Sequence, residues 1–114
     1  MKLFYGKAKD RADVAGDSPA EASLESALEI FRVLEPGRGF VGIALTERHV
    51  LQLLVDKRGD VRIELLDTAI PALDACLADR AFAESLIRAA AEGRDVFQIA
   101  RSGGHDWDQL DLGA

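Results

Sequence analysis

Cysteine is almost missing from this 114-residue chain: Cys76 is the only one, and histidine occurs twice. A lone thiol closes no internal disulfide and builds no cysteine-rich zinc site. No apolar run approaches the roughly 18 residues that cross a bilayer, so no membrane-spanning helix is expected. The first ten residues hold one small apolar cluster, Leu3-Phe4-Tyr5, and lack the apolar core of a signal peptide. These absences predict a cytoplasmic, single-domain protein. No serine stands in a G-x-S-x-G context. The glycines at 37, 39 and 42 spell G-x-G-x-x-G, but they follow a predicted helix and lead into a predicted strand, the reverse of a phosphate-binding loop.

Charge of one sign dominates what is present. Fourteen Lys and Arg face twenty Asp and Glu, for a net charge of −6. Such a surface repels a phosphate backbone. The one basic stretch, Lys2, Lys7, Lys9 and Arg11, lacks the aromatic spacing of a base-stacking platform. Nucleic acid is therefore not an expected partner, and a basic protein is. With 48% hydrophobic residues, the chain can still form a packed core.

Periodicity sets the expected elements. Lys2 to Gly6 reads as a short strand. Ser18-Pro19-Ala20-Glu21 has the form of a capping box, so a helix is expected from there to Leu34, with Leu24, Ala27, Leu28, Phe31 and Leu34 on its buried stripe. Three strands follow, Phe40 to Thr46, Val50 to Val55 and Val61 to Leu66. The short connections Glu47-Arg48-His49 and Lys57-Arg58-Gly59-Asp60 predict an antiparallel meander. The middle strand is apolar on both sides, which suits helices on one face and a partner on the other. Asp67 or Thr68 opens an expected helix through Pro71, Leu73, Cys76 and Leu77. Asp79 opens a second from Arg80 to Glu92, and Asp95 to Ala100 offers a last short strand. The expected fold is thus α+β, with a small three-stranded meander, open to extension by terminal strands, packed against an N-terminal helix and two C-terminal helices. Residues 1–101 form its single domain, and 102–114 a flexible acidic tail.

Reactive constellations are sparse. Cys76 falls at apolar spacing and reads as a small buried hydrophobe. His49 opens a strand. His105 stands beside Asp106, but after two glycines, where a ligand set is poorly held. Asp56 and Asp60 read as turn residues. Glu64 is either a solvent-facing strand residue or a buried charge that needs Arg62. Arg58-Gly59-Asp60 spells an adhesion tripeptide, for which the turn glycine is reason enough. No catalytic residue, metal site or cofactor is assigned.

Two features suit recognition. Glu21, Glu25 and Glu29 recur at four-residue spacing, where like charges repel by a few tenths of a kcal/mol each. Asp106-Trp107-Asp108 sets the only tryptophan between carboxylates, and tryptophan is favoured at binding hot spots. The expected function is a non-enzymatic acidic protein-binding module. In its sharper form it is a toxin-neutralising inhibitor of the bacterial immunity kind, which masks a basic partner through Glu21, Glu25, Glu29, Asp106, Trp107 and Asp108. The alternative is a small-molecule sensor or small enzyme with Glu64, Asp67 and His49 around a pocket between the sheet and the C-terminal helices. Self-association into a homodimer through the apolar strands is a third reading.

Overall fold

A computed structural model describes residues 1–112. Its elements in chain order are β1 (Lys2–Gly6), β2 (Ala20–Glu21), α1 (Leu24–Arg32), β3 (Phe40–Ala44), β4 (His49–Val55), β5 (Val61–Asp67), β6 (Ala72–Ala78), α2 (Arg80–Ala91), α3 (Val96–Arg101) and β7 (Asp108–Asp111). The strands make one seven-stranded sheet in the order β2-β1-β3-β4-β5-β6-β7, with every neighbouring pair antiparallel. The α+β class holds, but the expected small three-stranded meander does not. The meander has four strands, β3 to β6, and the sheet continues beyond it at both ends.

Each difference has a local cause. The helix expected from an Asp67 or Thr68 cap through Pro71, Leu73, Cys76 and Leu77 is instead the strand Ala72–Ala78. Its Leu73, Ala75 and Leu77 alternate with Asp74 and Cys76, and a tight turn after Asp67 brings the segment back along β5. There six consecutive residues of β5 pair with it, from Val61↔Ala78 to Leu66↔Leu73. Long-range pairing overrides a weak propensity.

The first helix starts later than expected. Ser23, not Ser18, is its N-cap, and the Ser23 hydroxyl accepts a hydrogen bond from the Ser26 N–H at 3.1 Å. Ala20–Glu21 pairs instead with the outer edge of β1, which Val14 also covers beside Tyr5. Val96–Arg101 is a helix and not a strand. Asp95 caps it by accepting from the Gln98 N–H at 3.1 Å. The helix over Arg80–Ala91 is capped by Asp79 as its sequence predicts. Within the span expected to be a tail, Asp108–Asp111 pairs with Ala72–Ala75. The last two residues of that span, 113 and 114, lie outside the described residues.

All three helices lie on one face of the sheet. Leu3, Val41, Ile43, Leu51, Leu53, Ile63 and Leu65 point toward them and are buried with Phe31, Leu86, Ile87 and Val96. This side is the core. Among the described residues, no helix is long and apolar enough to cross a membrane.

Candidate functional site

Antiparallel partners share a face, so the pairing register assigns every strand residue to one side of the sheet. Among the described residues no helix covers the opposite side; the loop at Gly16 reaches Phe4 at one end of it, and residues 104–106 share a cavity with Arg62 and Leu77 at the other. One row across it runs Lys2, Ala44, Val50, Leu66, Leu73, Leu110. The next runs Phe4, Gly42, Gln52, Glu64, Ala75, Asp108, and a third Gly6, Phe40, Leu54, Arg62, Leu77. Phe4, Phe40, Val50, Leu54, Leu66 and Leu73 are half-buried, Phe4 partly against the Gly16 loop, whereas Leu77 is 62% exposed. Water-facing strand positions are usually polar, so this is an apolar surface left open.

Glycines shape one end of it. A Cβ on Gly42 would lie 1.9 Å from Cζ of Phe4, and one on Gly6 would lie 2.6 Å from Cε1 of Phe40. Each phenylalanine therefore rests on the glycine opposite it, Phe4 on Gly42 and Phe40 on Gly6. The two rings stand 6.4 Å apart, tilted by 53°.

The middle of the face is polar. The Arg62 Nε–H donates to Glu64 Oε2 at 2.8 Å, and the Gln52 amide donates to Oε1 at 3.2 Å. The Glu64 side chain is 12% exposed. Of the two expectations for Glu64, the structure shows the charge that is largely covered and held by Arg62. The pair cancels its own charge, leaving the centre of the face neutral.

The six residues expected to bind a partner do not form one surface. Glu21, on β2, and Asp108, on β7, border the open face at opposite edges, six inter-strand steps or about 29 Å apart. The Met1 amine engages Glu21 at 2.7 Å and lowers the pKa of its carboxyl. Glu25 and Glu29 are exposed on α1, on the helix side; Glu29 meets Arg11 at 3.4 Å. Asp106 is exposed, whereas Trp107 is half-buried and packs against the core. Its indole Nε1 is buried without a hydrogen-bond partner, as is Nδ1 of His105, whose ring lies 4.4 Å from that of Phe82. The tryptophan is a lid on the helix side of β6.

The alternative trio is also divided. His49 and Asp67 face each other across β4 and β5, 3.5 Å apart, on the helix side. Glu64 is on the opposite face. Asp67 is held by Arg48 through two bonds of 3.2 and 2.8 Å, which keep its pKa below the usual carboxylate range. His49 lines a broad groove of about 970 Å³ between the end of the sheet and α3, with its ring 4.9 Å from Phe97. Arg101 approaches the same Phe97 ring at 5.4 Å, but its guanidinium is taken by Asp74 at 2.7 Å. Burial pushes the Cys76 thiol pKa up, away from reactivity. Among the described residues, no three of His, Cys, Asp and Glu gather closely enough to hold a metal ion.

The open apolar face was half-visible in the sequence, through the two-sided apolarity of Val50–Val55. Its remaining members went unrecognised because Leu73 and Leu77 were assigned to a helix, and Leu110 to a tail. Compared with protein-family models, curated proteins and solved structures, the chain matches none of them.

Proposed function

We propose that this chain is a non-enzymatic protein-binding module that works in the cytoplasm, where a lone unpaired thiol persists. The observation that carries the reading is the uncovered sheet face. Apolar patches of this kind on small domains mark interaction sites. Phe4, Phe40, Leu54, Leu66, Leu73 and Leu77 sit on a rigid seven-stranded frame, so docking costs little ordering entropy. The charge of −6 adds a second property. The exposed carboxylates of α1, with Glu25 in its first turn, favour basic proteins as external partners and speed their encounter. A toxin-neutralising inhibitor is the form this takes if that basic protein is an enzyme whose site the acidic side covers.

The test is affinity capture in the native host, with wild-type chain and a Leu54→Glu/Leu66→Glu variant as baits. Wild type is expected to retain discrete proteins, which include untagged copies of the chain itself. The variant, checked for native circular dichroism, is expected to lose those held by the open face. Identical captures from the two baits would defeat the reading.

A further inference from the structure

We propose that the occupant of the open sheet face is a second copy of this chain, packed sheet against sheet about a two-fold axis. The proposal rests on the protein-binding reading and names the partner of that same face.

Three observations point to a second copy. The first is charge. A chain of −6 would be expected to offer carboxylates to a basic partner, yet the centre of this face is neutral, because Arg62 and Glu64 cancel each other at 2.8 Å. The exposed carboxylates of Glu25 and Glu29 lie on the helix side, which such a dimer leaves free.

The second is the placement of the polar group. Gln52, Glu64 and Arg62 lie on β4 and β5, at the middle of the sheet order. A wholly apolar partner surface would strip water from Arg62, whose side chain is 42% exposed as it stands, and return nothing. A two-fold axis through the centre brings each copy's polar trio to the other's and lays apolar flank on apolar flank. An isologous interface matches a surface to itself in this way.

The third is size. Six inter-strand steps span about 29 Å and five strand residues about 17 Å, so the face projects to about 500 Å² before side-chain relief is counted. A standard interface hides about 800 Å² of accessible surface per partner, so a face of this extent, its side-chain relief included, suits an interface at the small end of that range. Two such sheets stack about 10 Å apart with strands crossing near 30°.

Sedimentation equilibrium of the purified chain, from nanomolar to tens of micromolar, tests the proposal. A species of twice 12.3 kDa is expected. Leu54→Glu/Leu66→Glu, and separately the milder Leu54→Ser/Leu66→Ser, are expected to weaken association at least tenfold with circular dichroism unchanged. Glu25→Lys/Glu29→Lys, on the far side, is expected to leave it intact. A wild-type monomer throughout the range would overturn the second copy. The protein-binding reading would then stand or fall by the capture experiment alone. A dimer that survives both leucine variants, or one that the α1 variant dissolves, would place the contact elsewhere and overturn the proposal equally.

Discussion

Gly42 is the residue on which the open face is most finely balanced. The ring of Phe4 occupies the space a Cβ would take, 1.9 Å from Cζ. Gly42→Ala must tilt that ring off the sheet, and overpacking of this kind costs about 1–3 kcal/mol. Gly16 touches the same ring from its own loop, but a Cβ there would meet Cδ2 at 3.6 Å, an ordinary contact. Gly16→Ala is therefore expected to be neutral or to stabilise by up to about 1 kcal/mol, through the unfolded chain. Urea unfolding of the two variants side by side checks the contrast. If both alanines behave alike, the ring is not seated as described.

Among the elements, α3 depends most on one side chain. It has six residues, Val96–Arg101, and so makes few internal hydrogen bonds; Asp95 caps it through the Gln98 N–H. Asp95→Ala is expected to lower stability by about 1 kcal/mol, measured by denaturant titration, and to speed hydrogen exchange at the Gln98 amide. The same helix shows where sequence reading stops. Its span is too short for periodicity to separate helix from strand, and the expectation of a strand over Asp95 to Ala100 takes no account of a cap at Asp95. For α2, twelve residues long, the Asp79 cap marks the start, and the helix lies where the sequence puts it. The strands with short turns, β3 to β5, were legible for the same reason. β2, β6 and β7 were not. The two residues of β2 and the acidic run of β7 carry no strand signal of their own, and the alternation in β6 is weak within an alanine-rich run; each becomes a strand because a neighbouring edge offers unpaired N–H and C=O groups. The acidic candidates were visible as residues but not as a surface. Sequence spacing could not show that β2 and β7 stand at opposite ends of one sheet.

For the whole molecule, two ion pairs tie distant segments together and set the response to acid. Glu84 on α2 accepts two bonds from Arg32 at the end of α1, at 3.2 and 2.6 Å. Asp67 at the end of β5 is held by Arg48 from the β3–β4 turn. Both carboxyls have pKa values lowered by these arginines. A group with a lowered folded pKa contributes its stability in full above the ordinary carboxylate range, and loses it as pH falls toward the folded value. Glu84→Gln is thus expected to destabilise the protein at pH 7, with the deficit shrinking as pH falls below the ordinary carboxylate range, as read from thermal midpoints across pH. A deficit that stays constant into acid would show that the charge is not its source. The sheet's margins have a consequence of their own. One ends in a two-residue strand, the other in a four-residue strand that carries Asp108 and Asp111. Neither is a good template for adding strands from other molecules, so the molecule has a broad sticky flank but poor ends. It is built to resist growing into ribbons or fibrils, even at concentrations that bring many copies together.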